Sequence, residues 1–214
     1  MDLWTRLEEA RTRWNVLEHP FYRRWSAGEL SRADLATYAG QYRHAVVALA
    51  EASHAAAEAA SGDEAHALAE HAREESAHVE LWDRFARAMG TDVEASPTPE
   101  TRACTHAWAD PDRDLLGTLV ALYAIESAQP AIAETKRSGL RERYGVRDGD
   151  ATAYFDVHVE RDHEHAAAER ALIEPRLDSG DLDRLVAEAE GASRANWTLL
   201  DGVERVLRGT AAGA

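Results

Sequence analysis

Apolar residues recur at every third or fourth position along most of the chain, which is the spacing of amphipathic α-helices. No segment alternates apolar and polar residues over the length of a strand, and β-branched residues are sparse. The pattern therefore predicts an all-α fold with about seven helices in one bundle.

Interruptions of this pattern place the helix ends. Ser31 can cap a long helix, Gly90 can end the next one, and Pro130 is expected to kink a third. The predicted helices cover about residues 2–17, 32–60, 64–89, 113–143, 151–173 and 182–207, with one short helix within 91–113. We expect a single domain over residues 1–209 and a frayed tail over residues 210–214.

Polar residues occupy core positions in the predicted helix over residues 151–173. At about 100° per residue, with His158 at zero, Asp162 falls near +40°, His165 near -20° and Glu169 near +20°. Tyr154 lies near -40°, so these polar residues share a stripe with a large apolar side chain. Burying such groups together costs several kcal/mol unless something pairs with them. A metal ion is an efficient partner, because it binds neutral imidazole and ionised carboxylate at once.

Two other predicted helices repeat this feature. His78 heads an apolar stripe, and Glu74 and Glu75 lie four and three residues before it, within reach of the same ion. The spacing from Glu75 to His78 is the E-x-x-H motif of di-iron carboxylate bundles. Glu126 continues the apolar stripe of another helix, where packing alone does not explain an acid. Three helices with core-facing ligands predict a metal site.

The ligand types indicate which metal is bound. Three carboxylates and three imidazoles without a thiolate suit two iron ions, with manganese acceptable in one position, rather than structural zinc. A second E-x-x-H, from Glu51 to His54, leaves a ferritin-like pairing open. The other histidines have no such context and are expected on the surface or in turns: His19, His44, His66, His71, His106 and His163.

Charge and cysteine content narrow the class of protein. The formal net charge is -15, and an acidic surface repels nucleic-acid phosphates and anionic lipids, so neither nucleic acid nor a membrane is an expected partner. Residues 115–125 form the longest apolar stretch, which is too short to span a bilayer, and residues 1–6 lack the layout of a signal peptide. Because Cys104 is the only cysteine, no intrachain disulfide can form and a cytoplasmic location is expected.

Several stretches resemble a known superfamily. Residues 17–25 (LEHPFYRRW) resemble the opening of the heme-oxygenase-like superfamily, which includes TenA and PqqC. Residues 121–127 (ALYAIES), 154–158 (YFDVH) and 169–174 (ERALIE) are similar more closely to the CADD-like family, named after the Chlamydia protein associating with death domains. The resemblance covers residues 3–205.

This resemblance implies a heme-oxygenase-like bundle, a homodimer, and a di-iron centre without heme. The ligands that it implies are a glutamate at 74 or 75 with His78, Glu126, His158, Asp162 and His165. The family has a short insertion between its Glu-Glu pair and the histidine. This sequence lacks that insertion between Glu75 and His78, so both Glu74 and Glu75 stay candidates.

The resemblance also implies an unusual activity, which is the formation of p-aminobenzoate with O2 and an electron donor. A tyrosine of the protein supplies the ring and a lysine supplies the amine, and the matching residues are Tyr22 and Lys136. Tyr38 and Tyr42 match further family tyrosines, whereas Ile125 replaces another. Lys136 is the only lysine among 24 basic residues, and arginine cannot deprotonate to give a free amine.

Other functions stay open at this stage. The same iron site can oxidise an external fatty acid or amino acid, and a PqqC-like protein would need no metal. A TenA-like thiaminase needs a nucleophilic cysteine, for which Cys104 is the only candidate. A non-enzymatic interaction module is the last alternative. The implied reaction also needs the amine of Lys136 close to the ligand Glu126. The two residues are about 15 Å apart on a straight helix, so the helix has to bend between them.

Overall fold

The computed structural model describes residues 1–211, apart from the side chains of Glu160, His163, Thr210 and Ala211. Within this range it contains helices and no strands, which confirms the all-α prediction. The helices are α1 (Leu3–Arg13), α2 (Pro20–Ala27), α3 (Arg32–Ala59), α4 (Asp63–Met89), α5 (Pro99–Trp108), α6 (Leu115–Glu126), α7 (Gln129–Glu142), α8 (Ala153–Ile173) and α9 (Leu182–Ala211), with short 3₁₀ turns at Val16–Glu18 and Glu174–Arg176. Residues 212–214 of the expected tail and the side chain of His163 lie outside the described part.

Several helix ends form where the sequence places them. The Ser31 hydroxyl accepts a hydrogen bond from the Asp34 amide, and the Asp34 carboxylate accepts one from the Ser31 amide, so a capping box begins α3. Gly90 ends α4 with a φ of 88°, which only glycine adopts at low cost. Helix α2 was not predicted. It begins because His19 accepts a hydrogen bond from the Phe21 amide and Pro20 occupies the first turn.

The single kinked helix expected over residues 113–143 is two helices. Helix α6 ends at Glu126 and α7 begins at Gln129, with Pro130 in its first turn, where a missing N–H costs nothing. The stretch Leu115–Glu142 has the length and hydropathy of a membrane span, but 67% of that window is buried inside the bundle. The break redirects the chain, so that α7 packs against α2 and α8.

The packing order brings the predicted ligand helices together. Helices α3 and α4 form an antiparallel pair, and α8 packs against α4, α6 and α7. Helix α9 covers the other side of the bundle and contacts α1, α5 and α6. Gly139 lets α2 approach α7 closely, since a Cβ there would lie 2.4 Å from Nε1 of Trp25. That indole N–H donates to the carbonyl oxygen of Lys136 at 3.3 Å, which fixes α7 against α2.

Candidate metal centre

Among the side chains that the structure describes, eight imidazoles and carboxylates converge between α4, α6 and α8. Six of them are almost fully buried, and two histidines retain about a tenth of their side-chain exposure. Helix α4 supplies one end of the cluster, α6 a single glutamate and α8 the rest. The residues are His71, Glu75, His78, Glu126, His158, Asp162, His165 and Glu169.

The ligand atoms form two groups that share one carboxylate. Atoms of His71, Glu75, Glu126 and His165 all lie within 4.8 Å of one another, and so do atoms of Glu75, His78 and His158. Nδ1 of His78 is 3.0 Å from Oε1 of Glu75, and Nε2 of His71 is 3.3 Å from Oε1 of Glu126. Since Glu75 belongs to both groups, the geometry suits two neighbouring ions rather than one.

Buried polar atoms without hydrogen-bond partners are concentrated at this site. Buried groups in proteins are normally paired, because an unpaired one costs about 1–3 kcal/mol. The unpaired ligand atoms among the described side chains are Nε2 of His71, Oε2 of Glu75, Nδ1 of His78, both carboxylate oxygens of Glu126, Nε2 of His158, Oδ2 of Asp162, Nδ1 of His165 and both carboxylate oxygens of Glu169. A metal would satisfy these atoms together, so the residues fit a metal centre.

Charge also favours two divalent ions. The buried carboxylates of this cluster are Glu75, Glu126, Asp162 and Glu169, and no arginine or lysine forms an ion pair with any of them among the described residues. Burial, together with the negative charges of the neighbouring Glu126 and Glu75, raises the pKa of Asp162 to about 9. Burial, with Glu126 and Glu75, also raises the pKa of Glu169 well above its usual range. Four carboxylates balance two divalent cations when all are ionised.

Two histidines are oriented by groups outside the cluster. Nε2 of His165 is 3.0 Å from Oε2 of Glu74, which leaves Nδ1 facing Glu126 at 3.4 Å. Nδ1 of His158 lies 2.7 Å from the carbonyl oxygen of Tyr154, so Nε2 faces the cluster. Metal-binding histidines usually have such outer partners. Of the two candidate glutamates, Glu75 lies among the ligand atoms, whereas Glu74 is one-third exposed and lies behind His165.

The structure adds two residues to the predicted site. His71 was expected on the surface or in a turn, but its ring packs 4.4 Å from that of His165. It lies four residues before Glu75 and seven before His78, and therefore on the same face of α4, which is the signal in the sequence that could have identified it. Glu169 was recognised on the polar stripe of α8 but was not counted as a ligand. Its two oxygens are buried and unpaired beside the others.

The remaining histidines and the competing motif lie elsewhere. Glu51 and His54 are exposed on α3, and His54 contacts the hydroxyl of Ser76, so a ferritin-like pairing with them is excluded. His66 and His106 are exposed, as expected. The other two are bonded outside the cluster, with His19 next to Asp201 and His44 next to the carbonyl oxygen of Ala95.

A second buried cluster contains the only lysine. Lys136 is 0% exposed and Nζ has no hydrogen-bond partner. Nζ lies 5.8 Å from the ring centroid of Tyr22, 5.5 Å from that of Tyr38 and 4.4 Å from that of Tyr42. The hydroxyls of Tyr22 and Tyr38 are hydrogen-bonded at 2.9 Å. Because the chain breaks between α6 and α7, Glu126 and Lys136 do not lie on one straight helix, and the carboxylate of Asp162 is close enough to raise the pKa of the Lys136 amine.

Aromatic rings connect the two clusters. The ring of Tyr154 stacks on His158 at 3.9 Å and lies 4.7 Å from Trp82. Trp82 in turn lies 5.0 Å from Tyr42 and 5.9 Å from Tyr38. These contacts leave no room for bulk water between the candidate ligands and the tyrosines, because each of these residues is at most 2% exposed.

Burial shifts the ionisation of Lys136. It lowers the pKa of the amine to about 7, more strongly than the carboxylate of Asp162 raises it. Near pH 7 a large fraction of the amine is therefore the free base, which has the lone pair that a nitrogen donor needs. Burial has the opposite effect on Cys104, since it raises the pKa of the thiol and keeps it protonated. A protonated, fully buried thiol is a poor nucleophile, which argues against thiaminase activity.

Lys136→Met should stabilise the metal-free protein at pH 7, and this gain should largely disappear by pH 10. The amine binds its proton more weakly in the folded protein, with a pKa of about 7, than at the ordinary value of 10.5. The unfolded chain therefore holds the extra proton between these pH values, and the stability of the wild type rises as the pH rises. The full shift corresponds to on the order of 5 kcal/mol. Urea unfolding at both pH values measures the difference, and parallel pH profiles of the two proteins would contradict it.

Comparison with known proteins identifies the family. Residues 36–197 match the family described as iron-containing redox enzymes. The chain belongs to this family. As a member, the protein is an oxidoreductase, and the histidine–carboxylate cluster is the candidate site for its iron.

Several proteins that are similar in sequence to this family member are named 4-aminobenzoate synthase. The relative from Nitrosomonas europaea is 32% identical over 210 residues, which cover 88% of this chain and 85% of the relative. The relative from Chlamydia trachomatis is 32% identical over 199 residues, which cover 87% and 85%. The similarity therefore extends over most of both chains.

Solved structures confirm the heme-oxygenase-like fold of this family member. A TenA homologue from P. horikoshii superposes with a TM-score of 0.78 at 20% identity, over 96% of this chain and 99% of the other. A CADD-like protein of unknown function from Nostoc punctiforme superposes with a TM-score of 0.77 at 20% identity, over 95% and 96%. At such identities the likeness establishes the fold alone.

Proposed function

We propose that this protein forms 4-aminobenzoate from its own Tyr22, with Lys136 as the nitrogen donor, two iron ions as cofactor and O2 as oxidant. The observation that carries the proposal is the placement of the only lysine. Its amine is fully buried and unpaired, and it lies next to three tyrosine rings. Two relatives that match most of the chain bear the name 4-aminobenzoate synthase.

Conversion of a tyrosine side chain into 4-aminobenzoate requires three changes. The Cα–Cβ bond breaks, and Cβ is oxidised to a carboxylate with oxygen from O2 or water. The nitrogen of Lys136, released by cleavage of its Cε–Nζ bond, replaces the phenolic oxygen, which leaves as water. Bound iron would supply the activation of O2 and the oxidising equivalents, with electrons from an external donor. Lys136 gives up its nitrogen and Tyr22 its ring, so each chain reacts once.

The side chains around Tyr22 prepare it for this chemistry. The hydrogen bond to Tyr38 fixes the position of the phenolic oxygen. Burial raises the pKa of Tyr22 well above its usual range, so the phenol stays neutral until it reacts. Tyr42 covers the amine at 4.4 Å and excludes water from the nitrogen.

The cofactor that we propose follows from the donor set. Glu75 joins one group with His71, Glu126 and His165 to another with His78 and His158, and this histidine–carboxylate chemistry suits iron, with manganese acceptable at one position. We propose no heme, because the cavity beside His71 holds about 220 Å³, below the ~300–1,000 Å³ of pockets for larger organic ligands. A cytoplasmic homodimer that binds neither nucleic acid nor membranes completes the proposal, and the net charge of -15 supports its last part.

The proposal is tested by a reaction without added substrate. Protein labelled with ring-¹³C-tyrosine is loaded with Fe(II) without oxygen and then given O2 and a reductant. We expect labelled 4-aminobenzoate, at most one equivalent per chain, and loss of mass at Tyr22 in peptide mass spectra. Iron-loaded protein under nitrogen and metal-free protein under O2 are the controls. Intact protein after reaction would refute self-consumption.

Oxidation of an external small substrate is the second candidate. The cavity of about 220 Å³ that favours it borders His71, His165 and Glu169, and Arg161 lies at its edge. A small acid bound to that arginine would lie beside the candidate ligands. Substrate-dependent O2 consumption with an unchanged protein mass would support this candidate instead.

A further inference from the structure

A separate cavity shares no lining residue with the cavity beside His71. It holds about 160 Å³ between the end of α1, the α6–α7 junction and α9. Trp14, Trp108, Ile125 and Ile132 supply aromatic and aliphatic walls, and Asn196 is the buried polar side chain among the lining residues. Its volume is well below the ~300–1,000 Å³ of pockets for drug-sized ligands, so it suits a single substituted ring.

Asn196 is an unusual residue for such a cavity. The side chain is only 8% exposed, and its oxygen Oδ1 has no hydrogen-bond partner. An unpaired buried acceptor is costly, so a donor group of a ligand is the simplest reason for its presence.

The cavity and the lysine cluster are separated by one layer of side chains. Tyr42 belongs to that layer, because its ring lies 4.4 Å from Nζ of Lys136 and 6.3 Å from Trp108 on the cavity wall. Gln129 donates a hydrogen bond to the Tyr42 hydroxyl at 3.2 Å. A movement of Tyr42, together with Gln129, would connect the reaction site to the cavity.

We infer that this cavity is a binding site for the released aromatic amine, 4-aminobenzoate, on its way out of the protein. This inference rests on the proposed function. The amino group would donate to Oδ1 of Asn196, and the ring would pack between Trp14 and Trp108. The carboxylate would face Arg11 at the mouth, whose guanidinium uses Nε and Nη2 for Glu8 and remains 44% exposed.

Binding of added ligand tests this assignment without any turnover. Iron-loaded protein kept free of oxygen is titrated with 4-aminobenzoate, benzoate and aniline by calorimetry. We expect 4-aminobenzoate to bind about tenfold more tightly than benzoate, which lacks the donor for Asn196. Asn196→Leu should abolish that preference, whereas Arg11→Gln should weaken 4-aminobenzoate about threefold and leave aniline unchanged, as an exposed ion pair would.

A variant that fills the cavity guards against misfolding of the others. Ala131 is exposed and lines the cavity, so Ala131→Trp should fold and should abolish binding of 4-aminobenzoate. Ala55→Trp, at an exposed position of α3 outside the cavity, is the matched control and should bind normally. The inference is overturned if the wild type does not bind 4-aminobenzoate, binds benzoate equally well, or is unaffected by Ala131→Trp. Binding without synthesis would instead preserve this site and refute the proposed function.

Discussion

Lys136→Arg protein is expected to bind iron like the wild type and to release no 4-aminobenzoate. The arginine side chain is of similar length, but its guanidinium cannot become a free amine at neutral pH, so it cannot transfer nitrogen. Nitrogen has no other lysine source, because Lys136 is the only one in the chain. The yield should fall at least a hundredfold, to the detection limit of chromatography with mass spectrometry.

Two further variants separate nitrogen transfer from folding. Lys136→Met avoids a buried guanidinium and should also retain iron and give no product, while Tyr22→Phe removes the phenol with the same result. Tyr144→Phe is the matched control, since Tyr144 is only partly buried and bonds to the carbonyl oxygen of Trp25, and its yield should not change.

Isotope labelling tests nitrogen transfer by the appearance of a signal rather than by the loss of product. Protein grown with lysine labelled by ¹⁵N at the ε-position carries the label at Lys136 alone. We expect ¹⁵N in the released 4-aminobenzoate. Unlabelled product, or wild-type yield from Lys136→Arg, would contradict nitrogen transfer from this residue and favour oxidation of an external substrate.

The ligand stripe of α8 shows what periodicity can predict. The sequence indicates that His158, Asp162 and His165 face the core, and the structure places all three there, because an α-helix fixes which side chains share a face. Glu169 shares that face but was not predicted to be a ligand, because nothing in the sequence shows that Glu126 of α6 lies beside it. Angular position is local information, whereas the meeting of helices is not.

The region around Lys136 shows the opposite limit. Pro130 predicts a disturbed helix, but not that α6 ends at Glu126 and α7 departs in a new direction. That direction depends on the contact of Gly139 with Trp25, which joins residues more than a hundred positions apart. The sequence therefore shows that Lys136 is the only lysine, but it does not predict that Lys136 lies next to Tyr22. Only the packed bundle does so.

Glu75→Ala is expected to lose iron from both positions, whereas Glu74→Ala should keep two equivalents with weaker affinity. Glu75 belongs to both groups of ligand atoms, so its removal deprives each ion of a carboxylate. Glu74 bonds to the outer nitrogen of His165, and loss of such a partner typically costs about 10–100-fold in affinity. Metal analysis and competition with a chelator measure the two outcomes. His158→Ala should lose iron from one position only, because His158 belongs to only one of the two groups of ligand atoms.

Thermal unfolding supplies a readout that does not depend on activity. Iron that binds the folded protein stabilises it, by about 2.7 kcal/mol when the free iron is in hundredfold excess over the dissociation constant. Glu75→Ala should lose most of this gain, and its metal-free form should be more stable than the metal-free wild type, because one of four crowded carboxylates is gone. Glu70→Ala, at an exposed position of α4, should behave as the wild type. If Glu75→Ala retains two equivalents of iron, Glu75 is not a ligand that the two groups share.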